Sequence, residues 1–227
     1  MKIDPERREI SGWVNNHRFV NHPETFRSYF VIRFDRPFEA WGTWENRRNT
    51  RTDGQTEAAG DGCGAYIRFK AGTKVQAKAA SSYISPEQAR ITLESELGAD
   101  RNLEATKARG AATWNALLGR VAVEDASEEE IRTFYSCLFR ANLFSRKFYE
   151  RDAEGNPYYY SPYDGKVHAG YMYTDNGFWD TFRSQFPLTN ILHPTMQGRY
   201  MQALLAAPEQ CGCTPAWSAP GETGGRL

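Results

Sequence analysis

The sequence has no surplus of either charge. Its 227 residues carry 28 Lys and Arg against 28 Asp and Glu, a formal net charge of zero at pH 7. A nucleic-acid-binding surface ordinarily needs a basic excess. The one conspicuously basic stretch, Glu45 to Arg51, is short and balanced by later acids, so it reads as solvated loop. There is no apolar run of the length a membrane helix requires, and Met1 to Arg8 lacks the apolar core of a signal peptide. Histidines and cysteines are few, four of each. His17, His22, His168 and His193 have no metal-ligand spacing with one another. Cys211 and Cys213 stand in C-x-C rather than the C-x2-C spacing of a zinc knuckle, and read as an incidental pair or a disulfide partner. Cys137 falls on the apolar face of a helical pattern and is expected as a buried thiol. No phosphate-binding loop, dinucleotide fingerprint or Ser-His-Asp order is present.

What the sequence does have is aromatic residues, 14% of the chain, and two successive patterns. The first has period two. In Ser28 to Phe34, the residues Phe30, Ile32 and Phe34 share one face and Tyr29, Val31 and Arg33 the other. Asp35-Arg36-Pro37 is a turn signal before a returning strand over 38–45. Residues 46–62 are polar and glycine-containing, hence a long hairpin loop. Further strands are expected over 64–70 and 73–79, with Gly72 in the turn between them. His17 and His22 are placed in a loop ahead of the first clear strand.

The period then changes. Ser85-Pro86-Glu87-Gln88 is a helix start with Ser as N-cap and Pro at the first position. It predicts a helix to about Glu96, stopped by Gly98. A second helix is predicted from about Asn102 to Leu118 and a short strand over Val121–Val123. Ser127-Glu128-Glu129-Glu130 opens a third, acid-rich at its start as the helix dipole favours. Behind it, Ile131, Phe134, Tyr135, Leu138, Phe139, Asn142 and Leu143 mark one face. Residues 150–176 lose periodicity and are expected as loop with one or two short strands. Met196, Tyr200, Met201 and Leu204 indicate a last helix after Pro194. Strands first and helices after argue for an α+β chain of two unlike domains rather than alternating βαβ units. The expected division is a sheet domain over 1–85, a helical linker over 86–126 and a helical domain over 127–227. The helical part has broad apolar faces with few partners, and the sheet few strands, so the sequence is expected to be an internal piece of a longer protein.

Two constellations could carry chemistry. Tyr158, Tyr159, Tyr160, Tyr163, Tyr171 and Tyr173, half of the chain's twelve tyrosines, lie within one short stretch. Aromatic faces pack on the C–H faces of sugars and tyrosine hydroxyls bond to sugar hydroxyls; the alternative is that they pack a long loop on the domain body. The second is Gly177-Phe178-Trp179-Asp180-Thr181-Phe182-Arg183. Asp180 either caps a helix start through backbone N–H groups, or takes two adjacent sugar hydroxyls while Trp179 walls the pocket. Arg183 would pair with Asp180 or brace that pocket. From the residues alone these readings stand level. Candidate carboxylates for acid–base work are Asp164, Asp175, Asp180 and Glu222.

Several collinear segments resemble glycoside hydrolase family 92, the calcium-dependent exo-α-mannosidases. They are Phe30 to Phe38 with Gly42-Thr43-Trp44, Ser82 to Ala89, Trp114-Asn115 with Leu118-Gly119-Arg120, Phe134 to Arg140, Asp164 to His168, and Trp179 to Arg183 with Pro187-Leu188. Gly212 to Glu222 resembles a further family segment in which Cys213 replaces an aromatic. The resemblance implies the C-terminal part of a β-supersandwich over 1–85, the linker, and the first helices of an (α/α)6 toroid from 127, incomplete. It implies removal of terminal α-linked mannose from glycans such as N-glycans, with inversion and with Ca2+ assistance, in an enzyme that is secreted or periplasmic. Carried over, Trp179 and Asp180, with Arg183, are substrate-binding residues. The general acid, the base and the main calcium ligands are expected outside this sequence, so the chain alone is expected to be inactive. A non-catalytic carbohydrate-binding module, or another (α/α)6-toroid glycosidase, remains the alternative.

Overall fold

The computed structural model describes residues 1–16, 23–46, 50–98, 102–212, 214 and 217–220. His17, His22, Cys213 and Glu222 lie outside them. The chain divides into two compact units, Met1–Asn16 with Phe26–Ala99, and His17–Thr25 with Asp100–Leu227.

The first unit is built on two antiparallel sheets. One has four strands in the order β1-β2-β3-β7, comprising β1 (Lys2–Asp4), β2 (Glu9–Asn15), β3 (Arg27–Phe34) and β7 (Ala77–Ser82). The other places β4 (Ala40–Glu45) between β5 (Thr50–Asp53) and β6 (Cys63–Arg68). The alternation read in β3 holds, and the face carrying Val31 is the one that is sealed. Helix α1 (Pro86–Leu97) packs on β3 and β7 and buries Ala89 and Leu93 against Val31, with Ala80 alongside. Its start is as expected: Ser85 Oγ accepts from Gln88 N at 3.0 Å, and Pro86 occupies the first turn.

Four expectations about strands are corrected. A strand, β2, precedes β3 and pairs with it from Glu9↔Arg33 to Asn15↔Arg27; its alternation is broken by Gly12 and by the exposed Trp13 and Val14. The expected loop 46–62 contains β5, an exposed polar edge strand whose threonines suit a pleated ladder. The last strand is Ala77–Ser82 rather than 73–79, because β3 sets its register from Phe34↔Ala77 to Tyr29↔Ser82. Gln76 N instead donates to Asp35 Oδ1. Val121–Val123 is not a strand; Tyr135 donates its hydroxyl to the Val121 carbonyl there.

The second unit holds α2 (Leu103–Leu118), α3 (Glu128–Ala141), short strands β8 (Arg146–Lys147), β9 (Glu150–Arg151), β10 (Pro157–Tyr160), β11 (Val167–Ala169) and β12 (Tyr173–Thr174), then α4 (Phe178–Thr181), α5 (Gln185–Leu192) and α6 (Pro194–Cys211). The Ser127 capping box is complete: Glu130 N donates to Ser127 Oγ, and Glu130 Oε2 accepts from Ser127 N at 2.8 Å. The hydrogen bonds from Ser127 hold the Glu130 carboxyl below its ordinary range. Helix α2 buries no residue. Cys137 is exposed rather than buried, since α3 turns Leu138 inward and leaves its neighbour outside. The last helix runs through Pro208 to Cys211, further than the sequence suggested, and ends on the left-handed Gly212. No helix among the described residues is long and apolar enough to cross a membrane.

Candidate substrate-binding site

The tyrosine-rich stretch is mainly structural. Tyr159, Tyr160, Tyr163 and Tyr173 are buried. Tyr173 meets Tyr200 of α6 with ring centroids 4.4 Å apart and Tyr149 at 5.6 Å, and Tyr149 meets Tyr171 at 4.8 Å. Burial, then the neighbouring Tyr149, pushes the Tyr173 hydroxyl well above its ordinary pKa. Gln210 of α6 donates to the Tyr159 hydroxyl at 2.6 Å and accepts from Ser161 Oγ at 2.7 Å. These side chains fasten the β9–β11 sheet to α6 and are spent on packing.

The stretch they support ends in a tight, polar turn. Asp175 has φ +63, the left-handed region that Asp tolerates better than most residues. It is held there by Arg146, whose Nε lies 2.7 Å from Asp175 Oδ2, and by its backbone N–H donating to the Ser218 carbonyl. Ser218 N in turn donates to Asn176 O at 3.1 Å, and Ser218 Oγ to Tyr173 O at 3.3 Å. The chain then enters the single-turn helix α4, whose N-cap is Gly177. Thr181 Oγ1 donates to Gly177 O at 2.9 Å and is buried.

On this fixed turn, Trp179 is 83% exposed, and Asp180 and Arg183 are exposed. Gly177 has no side-chain cap bond, and the Asp180 carboxylate makes no hydrogen bond or ion pair among the described residues. Asp180 therefore does not use its side chain as a helix cap. It does not pair with Arg183 either; the Arg183 guanidinium lies 5.2 Å above the ring of Phe182. A residue that the sequence did not single out as functional, Trp217, lies beside them. A Cβ built on Gly177 would meet Asp180 Oδ2 and come within 2.9 and 3.0 Å of Trp217 Cη2 and Cζ2. Only pairing between distant segments could have shown this proximity.

Of the other candidate carboxylates, Asp175 and Asp164 are committed elsewhere. Asp175 is in its ion pair with Arg146. Asp164 Oδ2 lies 2.9 Å from His168 Nε2, and its Oδ1 accepts from Lys166 N at 2.9 Å. Partial burial works to raise the Asp164 pKa, but these hydrogen bonds outweigh it and hold the carboxyl below its ordinary range. Among the described residues no three carboxylates, histidines or thiols converge as a metal-binding group. A cavity of about 980 Å³ in the first unit, lined by Trp13, Glu45, Glu87 and Arg90, includes none of the candidate residues. Neither does an apolar cavity of about 280 Å³ between α3 and α5.

No curated protein matches the chain. Among solved structures, it is similar to the family 92 inverting mannosidase BT2199 of Bacteroides thetaiotaomicron, with 43% identity and a TM-score of 0.89 over 99% of this chain and 30% of that one. It is similar at 27% identity and a TM-score of 0.70 to the family 92 glycosyl hydrolase ccman5, over 92% of this chain and 27% of that one. The family 92 α-mannosidase BT3965 of B. thetaiotaomicron, at 21% identity and a TM-score of 0.74 over 95% of this chain and 29% of that one, shares the fold. The chain thus spans about 30% of the length of these relatives. The sequence model of the glycosyl hydrolase family 92 N-terminal domain matches residues 1–82, and that of the family's catalytic domain matches residues 88–226, more than half of the chain. A sandwich-like sheet unit followed by helices, carrying both family domains in order, makes this chain a member of glycoside hydrolase family 92.

Proposed function

We propose that this chain supplies the sugar-binding face of an inverting exo-α-mannosidase that removes terminal α-linked mannose from glycans, N-glycans included. Family membership supports the reaction class, and the inverting mannosidase among the relatives supports the stereochemistry. The observation that carries the reading is the Asp180 carboxylate, which has no partner among the described residues, beside the exposed Trp179 on one turn. An exposed indole offers an apolar face for sugar C–H groups. A carboxylate can accept from two adjacent hydroxyls at once. Arg183 brings donors to the same surface.

Inversion needs an acid on the leaving oxygen and a base on the far side, far enough apart to admit a water. Asp164, held below the ordinary carboxylate range, is the opposite of a general acid, and Asp175 is neutralised by Arg146. No catalytic residue is assigned in this chain. The Ca2+ of the proposed mechanism would act as an electrophile toward sugar hydroxyls; the described residues offer no ligand group for it, and none is assigned. The division into the end of a sandwich (1–85), a linker (86–126) and the start of a toroid (127–227) belongs to the same proposal.

Two measurements test it. The purified 227-residue chain should release no mannose from an α-mannoside; release would overturn the assignment of acid and base outside this sequence. In saturation-transfer NMR with methyl α-mannoside, Trp179→Ala and Asp180→Ala should each abolish the transfer seen with the unmodified chain. Transfer unchanged in both would remove the site from this turn.

A further inference from the structure

Resting on the site proposed above, we infer that Trp217 is a second sugar-contacting side chain of the same pocket, delivered by a distant segment. Ser218 ties that segment down through three hydrogen bonds, to Asp175, Asn176 and Tyr173, and both Ser218 and Ala219 are buried. The bridge Asn176↔Ser218 is antiparallel and immediately precedes Gly177. A segment whose backbone is held this firmly has less left to order when a ligand docks on it. Trp217 nevertheless stays 44% exposed, a large apolar surface in water on an otherwise buried clip.

Gly177 shows why its position matters. The residue has φ −89, a conformation open to any amino acid, so backbone freedom does not explain the glycine. Space does. The Asp180 carboxylate oxygen and the Cζ2–Cη2 edge of Trp217 close over the same point, where a Cβ would have to push both side chains aside. The glycine lets a carboxylate and an indole stand side by side. That pairing matches a pyranose, which has hydroxyls at its rim and C–H groups on its face. A sugar bonded to Asp180 thereby brings carbon against Trp217, while Trp179 adds a second aromatic surface one residue away.

The test is 19F NMR of the full chain labelled with 5-fluorotryptophan and titrated with methyl α-mannoside. The six tryptophans give six probes, assigned by single Trp→Phe changes; Trp13, Trp41 and Trp44 serve as controls. The 217 and 179 signals should both move, with one common midpoint. Trp217→Ala, read at the 179 signal, should weaken binding about fivefold, the worth of roughly one aromatic contact, and Trp217→Phe should restore most of it. Movement of the 179 signal alone, or an unchanged midpoint in Trp217→Ala, would overturn this inference and leave the proposed function standing. If both signals stay fixed, the inference and the site at Trp179–Asp180 fall together.

Discussion

Glu9 is 1% exposed and charged, a combination that a protein interior accepts only when the charge is matched. Its Oε1 takes Arg33 Nε at 2.8 Å and Nη2 at 2.6 Å, and its Oε2 takes Arg90 Nε at 3.1 Å. Arg33 reaches on to Glu94, so one carboxylate joins β2, β3 and α1. Removing Glu9 leaves Arg33 and Arg90 partly exposed and still beside Glu94 and Glu87, so the cost is that of the lost charged hydrogen bonds, about 1.5–3 kcal/mol. Glu9→Ala should lower the unfolding free energy by about that amount in urea titrations followed by tryptophan fluorescence; a loss below about 1 kcal/mol would show the group to be solvated. Nothing in the sequence marks Glu9, because a lone acid in a segment without clear alternation reads as a surface residue. Cys137 fails in the opposite sense: a thiol on an apolar helical face reads as interior, and one position of rotation exposes it. Trp179 and Asp180 were singled out as candidates because the motif is contiguous. Trp217 was not, because its place beside them exists only through the Ser218 clip.

Among the elements, local chemistry was legible and long-range pairing was not. The starts of α1 and α3 were readable from their serine caps, since a cap acts within a single turn. The strands β2 and β5 and the register of β7 depend on neighbours that sequence does not name. Helix α6 shows a further case. It begins after His193, which is buried, and whose Nε2 has no hydrogen-bond partner among the described residues. Burial, with Arg120 nearby, pushes the imidazole below its ordinary pKa of 6.5. A histidine with a depressed folded-state pKa stays neutral in the fold where the unfolded chain already binds a proton. Its contribution is therefore fully present above the unfolded value and is lost as pH falls through 6.5 toward the folded value. The melting temperature should fall between pH 7 and pH 5, and His193→Gln should flatten that slope when followed by circular dichroism. An equal slope in the variant would assign the pH response to other groups.

At the scale of the whole molecule, the second unit exposes more apolar surface than an isolated folded chain keeps dry on its own. Ile191 of α5 is 77% exposed and Leu205 of α6 is 72% exposed, with Phe182 and Leu188 also open. Helices α5 and α6 pack on each other, yet these side chains stay exposed. Covering a single large aliphatic side chain is worth roughly 1.5–3 kcal/mol, and contiguous exposed patches drive association. At zero net charge, no long-range repulsion opposes it. The chain should therefore self-associate at micromolar concentration and bind a hydrophobic dye. The double substitution Ile191→Lys and Leu205→Lys should raise the monomeric fraction, because it places charge at the most exposed apolar side chain of each helix without touching a buried residue. Sedimentation velocity separates the outcomes. A unmodified chain that stays monomeric across that range would show that the exposed side chains of α5 and α6 are already compatible with water. A variant that aggregates as strongly as its parent would move the sticking surface elsewhere, to the exposed Leu103, Leu143 or Phe144.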